Sequence, residues 1–176
     1  MRFGVIGTNW ITEEFIQAGH TVEGFSLQAV CSRTLERAKE FAAKFAAPFF
    51  YTNPAEMAAS GQIDAVYIAS PNCFHAEQAI LCMSLGLHVL CEKPLASNAD
   101  EVEAMLAAAK KHDVLLMEAV KSTLVPNFFL RFRTICPSWG KFAASSPAIA
   151  SIPPATMRIA RARCCGLLTR LTPTEP

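Results

Sequence analysis

The sequence has no cysteine pair spaced as CxxC, no acidic residue between Glu118 and Glu175, and no apolar run near the roughly 18 residues a membrane span needs. Its cysteines, Cys31, Cys73, Cys82, Cys91, Cys136, Cys164 and Cys165, are odd in number and irregular in spacing, which makes a poor disulfide framework. Four of them fall in apolar strand or helix patterns, where cysteine acts as a small hydrophobe. A reduced, cytoplasmic setting is the expectation. The stretch ahead of Gly7 is too short for a signal peptide. His20, His75, His88 and His112 lack ligand spacing, so no metal site is expected. A formal net charge of +1 argues against nucleic-acid or membrane-surface partners held by bulk electrostatics.

What is present is a chain of 176 residues, 52% hydrophobic and 18% charged, enough for a single well-buried core. The charge is split. Residues 1–118 carry 8 Lys+Arg against 14 Asp+Glu, and residues 119–176 carry 8 against 1.

The hydrophobic period switches repeatedly along the first part. Short apolar runs at Phe3 to Ile6, Phe25 to Cys31, Phe49 to Tyr51, Ala65 to Ala69, Val89 to Cys91 and Val114 to Met117 read as strands. Between them lie helical patterns. The first places Trp10, Ile11, Phe15, Ile16 and Ala18 on one side and stops at Gly19; the second runs from Thr34 to Ala46, with Leu35, Ala38, Phe41, Ala42 and Phe45 at helical spacing. Asn53-Pro54 opens a third, Phe74 to Leu85 forms a fourth stopped by Gly86, and Ser97 with Asp100 caps a fifth over Ala99 to Lys111. The strand from Ala65 barely alternates, as suits a parallel strand covered on both faces. This order predicts an α/β fold with a doubly wound parallel sheet and right-handed connections.

In such a sheet ligands sit beyond the carboxyl ends of the strands. The first strand ends in Gly7-Thr8-Asn9-Trp10-Ile11-Thr12, where the dinucleotide fingerprint wants Gly-x-Gly-x-x-Gly or Ala. Gly7 keeps the turn glycine, and Asn9 and Thr12 replace the others. Asn9 is expected to hold a left-handed backbone in place of glycine, and Thr12 to loosen helix–strand packing slightly. A plain strand-to-helix turn remains the alternative, although a helix N-terminus favours phosphate whatever the motif.

The second strand ends in Ser32-Arg33-Thr34, with Arg37 a turn later and no carboxylate to hold the ribose diol of NAD. A guanidinium pairs a 2′-phosphate bidentately, so NADP is the expected cofactor, with NAD possible. The other reading is that Arg33 and Arg37 solvate a helix start beside Glu36 and Glu40. The fourth strand delivers Ser70, Pro71, Asn72 and His75, and the fifth delivers Glu92, Lys93 and Pro94. Each has a plainer alternative: His75 as a helix-start residue bonded to the backbone, Lys93 as a surface lysine.

Taken together, Gly7 in a Val-Ile-Gly turn, Ser32-Arg33, Ser70-Pro71-Asn72 with His75, and Cys91-Glu92-Lys93-Pro94-Leu95 resemble the Gfo/Idh/MocA oxidoreductase family over about residues 2–141. The resemblance implies a Rossmann-type NAD(P)-binding domain over 1–120 and hydride transfer to or from a sugar, cyclitol or polyol. It implies cofactor contacts at Gly7, Thr8, Asn9, Trp10, Ile11, Ser32, Arg33, Arg37, Ser70, Pro71, Asn72, His75, Glu92, Lys93 and Glu118. It makes Lys93 the catalytic residue, bonding the substrate oxygen beside the nicotinamide. A non-enzymatic dinucleotide-binding or sensor module, or an inactive product of a damaged gene, are the competing readings.

The family continues into a second α/β domain that carries the substrate pocket, and residues 142–176 do not read as that domain. The expectation is a helical start of the connection over 121–141, then a disordered, non-native tail over 142–176 produced by a frameshift near Phe142, with a genuine short tail as the alternative. The uncovered Phe128, Phe129, Leu130 and Phe132 would then form an apolar patch inviting self-association.

Overall fold

Strand and helix alternate through residues 1–120, the part of the chain that the computed structural model describes. The strands are β1 (Arg2–Ile6), β2 (Ser26–Cys31), β3 (Phe49–Tyr51), β4 (Ala65–Ile68), β5 (His88–Cys91) and β6 (Leu116–Glu118). The helices are α1 (Trp10–Gly19), α2 (Leu35–Lys44), α3 (Pro54–Ala59), α4 (His75–Ser84) and α5 (Ala99–His112), with a short 3-10 turn at Asn72–Phe74 ahead of α4. The strands form one parallel sheet in the order β3-β2-β1-β4-β5-β6. The order reverses between β1 and β4, so the strand ends there part to leave a crevice. This is the doubly wound parallel sheet expected from the periodicity, in the Rossmann-type form that the resemblance implies. The anticipated features at 121–141, at 142–176, near Phe142 and at Phe128, Phe129, Leu130 and Phe132 lie outside the described residues, as do Cys136, Cys164 and Cys165.

Alternation within each strand builds a core on both faces. On one, Ile6, Ala29, Val66, Ile68 and Val89 pack with Met57, Ala79, Met83 and Met105 from the helices. On the other, Phe15 of α1 stacks on Tyr67 with ring centroids 4.0 Å apart and meets Phe3 edge-on at 5.5 Å. Central β4 is buried at every position, as its unbroken apolar run requires.

Four local expectations are corrected. Trp10 is 72% exposed rather than part of the buried face of α1: it occupies the first helical position, beyond the end of β1, and Thr12 fills the buried row with Phe15, Ile16 and Gly19. Leu35 is likewise exposed at the first position of α2, while Ala38, Phe41 and Ala42 are buried. The cap of α5 is Asn98, not Ser97. With Ala99 as the first helical residue, the Asn98 side chain accepts from the Glu101 N–H at 2.9 Å, and Glu101, not Asp100, accepts from the Ser97 N–H at 2.9 Å. Finally, β6 starts at Leu116 rather than Val114. Asp113 closes α5 in a left-handed conformation (φ +54°), and the Val114 N–H is spent on the Ala109 carbonyl.

Cys31, Cys82 and Cys91 are buried, whereas Cys73 is exposed on the 3-10 turn, and all are free thiols. Burial disfavours the thiolate and pushes each buried thiol up to about 12, with smaller contributions from Glu56 at Cys31 and from Glu92 and Glu118 at Cys91. Alkylation of the native chain near neutral pH should therefore mark Cys73 first among these four. Cys31, Cys82 and Cys91 should react only on unfolding, as peptide mass mapping would show; native labelling of any of them at the rate of Cys73 would contradict the described packing.

Candidate functional site

The crevice at the carboxyl ends of β1, β2 and β4 holds a cavity of about 490 Å³, within the ordinary range for small-molecule sites. Gly7, Thr8 and Asn9 enter it from the end of β1, Ser32, Arg33 and Arg37 from the end of β2, and Ser70 and Pro71 from the end of β4. Eight residues named from the sequence thus converge, although they span more than sixty positions of chain.

Gly7 makes this convergence possible. Its φ is +102°, and its amide donates to the Cys31 carbonyl at 3.0 Å while the turn passes close to Ala69. Asn9 does not take the left-handed role expected of it. Its backbone is extended (φ −110°), and its side chain caps α1, accepting from the N–H groups of Ile11 and Thr12 at 3.1 Å each. The same side chain donates from Nδ2 to the Ala69 carbonyl at 2.7 Å, tying the β1 turn to the end of β4. An asparagine can thus replace a glycine here because its amide is engaged by the cap of α1 and by the end of β4. Thr12, fully buried, donates its hydroxyl to Asn9 Oδ1 at 3.2 Å.

The β2 side is hydroxyl-rich and cationic. Thr8 and Ser32 hydroxyls lie 3.0 Å apart, and Arg37 reaches the Thr8 carbonyl at 3.5 Å. Arg33 and Arg37 are both exposed, and among the described residues no carboxylate belongs to the lining. On the β4 side, Ser70 donates its hydroxyl to Gln78 Oε1 at 2.7 Å.

The remaining residues named from the sequence stand outside this lining. Trp10, Asn72, Lys93 and Glu118 are exposed, and Ile11 is half-buried. His75 is fully buried, with Nδ1 2.9 Å from the Pro94 carbonyl and Nε2 2.9 Å from the Ser70 carbonyl. Of its two readings from the sequence, the backbone-bonded one describes these contacts. Glu92, 8% exposed, accepts from the Tyr67 hydroxyl and from the Lys93 N–H at 3.3 Å, and Glu118 accepts from the Leu95 N–H at 2.9 Å. The negative charges of Glu92 and Glu118 reach Cys91 between them, adding to burial in raising its thiol pKa.

Thr52, Pro54, Phe74 and Gln78 also line the cavity, although no motif marks them. Thr52 follows β3, so the rule of strand ends points to it. Gln78 lies in the first turn of α4, and Phe74 immediately precedes that helix. Among the described residues there is no cluster of metal-ligating side chains, and no helix is long and apolar enough to cross a membrane.

Residues 1–120 match the oxidoreductase family with an NAD-binding Rossmann fold, known as Gfo/Idh/MocA. The chain is 57% identical over 128 residues to the scyllo-inositol 2-dehydrogenase (NADP(+)) IolU of Bacillus subtilis, covering 73% of this chain and 39% of that protein. It is 49% identical over 141 residues to the uncharacterized oxidoreductase YgjR of Escherichia coli, covering 80% and 43%. The structure superposes with a TM-score of 0.69 at 30% identity on KijD10, a 3-ketoreductase from Actinomadura kijaniata solved with TDP-benzene and NADP, covering 80% of this chain and 43% of that one. The chain spans about two fifths of the length of these curated relatives. It belongs to the Gfo/Idh/MocA oxidoreductase family, and residues 1–120 are its NAD-binding Rossmann domain.

Proposed function

We propose that the cavity binds NADP(H) and that the chain carries the cofactor half of an oxidoreductase acting on a cyclitol, sugar or related polyol. The observation that supports this most is the charge of the lining, which among the described residues has Arg33 and Arg37 and no carboxylate. A carboxylate at the end of β2 would hold a ribose diol and repel a 2′-phosphate, whereas guanidinium groups pair with it. At about 4 Å and an effective dielectric of about 20, one such contact gains roughly 4 kcal/mol before desolvation. The Bacillus subtilis relative, a scyllo-inositol 2-dehydrogenase (NADP(+)), supports both the cofactor and the substrate class.

In this reading the adenosine 2′-phosphate meets Arg33 and Arg37, with Ser32 and Thr8 toward the ribose. The pyrophosphate lies over Gly7 and the start of α1. Because Asn9 occupies the N–H groups of Ile11 and Thr12, the phosphate takes the amides ahead of them, at Asn9 and Trp10. Ser70, Pro71 and Asn72 flank the dinucleotide. The bound nicotinamide supplies or accepts hydride at its C4. Lys93 presents its ammonium to the substrate oxygen, stabilising negative charge there and holding the proton that oxygen gains or loses. Residues 1–120 thus supply the cofactor site and Lys93. Orienting the polyol falls to the rest of such an enzyme, and orientation alone supplies many kcal/mol of the barrier.

Titration calorimetry with NADPH and NADH tests the cofactor assignment. The expected result is tighter binding of NADPH, and an Arg33→Ala variant whose NADPH Kd rises about tenfold to hundredfold, as loss of a charge-assisted bond would cause, with NADH little changed. Equal affinity for both cofactors, unaltered by Arg33→Ala, would remove the idea. NADPH binding without turnover across a polyol panel would favour a non-enzymatic binding module instead.

A further inference from the structure

Lys93 is exposed in the turn after β5, yet the chain beside it is fastened through a residue that nothing in the motif pattern marks. Tyr67 stands opposite Leu90 in the β4–β5 register. Side chains alternate along a strand, so Glu92, two positions past Leu90, returns to the face that Tyr67 occupies. The Tyr67 hydroxyl donates to Glu92 Oε1, and the other oxygen of that carboxylate, Oε2, accepts from the Lys93 N–H at 3.3 Å.

Tyr67 is itself enclosed by the core. It is fully buried, and its ring lies almost parallel to that of Phe15 with centroids 4.0 Å apart. Packing alone asks only for a ring at this position, and phenylalanine would fill it. The hydroxyl adds a link from the centre of the sheet to the carboxylate that holds the Lys93 amide. A buried phenol needs a partner, and one that it has here is the residue next to the exposed lysine.

We propose that Tyr67 is a positioning residue: acting through Glu92, it fixes the main chain at Lys93. The functional value of this link rests on the reading of Lys93 as the group facing the substrate. The link itself can be tested without cofactor.

The test uses the full chain and the variants Tyr67→Phe, Glu92→Ala and the double variant, with amide hydrogen exchange followed by NMR. Tyr67→Phe keeps the ring and its stacking on Phe15, and is expected to fold. The Lys93 amide should exchange about tenfold faster in it, with the β4 amides of Val66 and Ile68 nearly unchanged. In the Glu92→Ala background, Tyr67→Phe should add nothing further at Lys93, because the hydroxyl acts on that amide through the carboxylate. Three results would overturn the proposal: an unaltered Lys93 amide, acceleration shared by the strands, or a full additional effect without Glu92. A second arm reads the nicotinamide end. Bound NADPH should lose fluorescence enhancement in Tyr67→Phe while its Kd stays within about threefold; a weakened Kd with unchanged emission would mark a packing role and count against the proposal. Failure of the wild-type chain to bind NADPH would sink the cofactor reading alone, with the exchange results still deciding the role of Tyr67.

Discussion

Replacing Gly7 by alanine should unfold the chain more easily and weaken NADPH binding at least about tenfold. A Cβ on Gly7 would lie 2.5 Å from the Ala69 carbonyl oxygen and 2.8 Å from its carbon, while the backbone keeps a φ of +102°. The obstacle is main chain, which cannot swing aside as a flexible side chain does. It is also pinned: the Ala69 N–H donates to the Ile6 carbonyl at 2.8 Å, and its carbonyl accepts from Asn9 Nδ2 at 2.7 Å. Relieving the clash would therefore break the tie between the β1 turn and the end of β4, which together form one wall of the cavity. Backbone strain of about 1–3 kcal/mol and overpacking of similar size combine to a loss of several kcal/mol. Since each 1.4 kcal/mol is about tenfold in affinity, even half of that loss falling on the bound state weakens NADPH by an order of magnitude or more. Gly86→Ala is the control: its φ is +81°, but nothing lies within 4 Å of the added carbon. Urea unfolding should show a loss of about 1 kcal/mol there, well below that for Gly7→Ala. Equal losses would mean that the Ala69 backbone yields freely.

The sheet is largely legible in the sequence because its elements announce themselves locally. The unbroken apolar run of β4, the Asn53-Pro54 start of α3 and the glycine after α4 are signals within a few residues, and each matches an element boundary in the structure. Features decided by tertiary context are less legible. Trp10 shares the helical spacing of a buried row, but a first-turn residue beyond the strand end has no sheet to cover it. Asn9 tolerates left-handed angles, which suggests a backbone role, whereas the helix behind it recruits its side chain as a cap. Tyr67 is hidden for the opposite reason. Within Ala-Val-Tyr-Ile it reads as one more packing aromatic, and only the strand register shows that its hydroxyl meets Glu92. Strand-end residues such as Ser32, Arg33 and Ser70 are accessible because one rule, ligands beyond carboxyl ends, needs no register at all.

His75 is where those two kinds of information meet, and its removal carries the other large expected effect. The ring sits at the start of α4, completely buried, and spans from the Ser70 carbonyl after β4 to the Pro94 carbonyl after β5, 2.9 Å from each. Each ring nitrogen faces one of the two turns beside the crevice, and a ring carrying a single N–H donates to one of these carbonyls at a time: Ser70 and Pro71 line the cavity, and Pro94 follows Lys93 directly. His75→Ala should cost about 3 kcal/mol, from the cavity left by the ring and the hydrogen bonding removed at the strand ends. Packing and hydrogen bonding can be separated. His75→Phe keeps a ring but offers no donor, while His75→Gln offers an amide that can donate to one carbonyl. If the bridge matters chiefly as a hydrogen-bonded strut, unfolding midpoints should rank His75→Gln above His75→Phe, with NADPH affinity following the same order because the Ser70 turn loosens with the strut. The reverse ranking would make His75 a core-filling ring, and the two turns would then owe their alignment to the sheet alone.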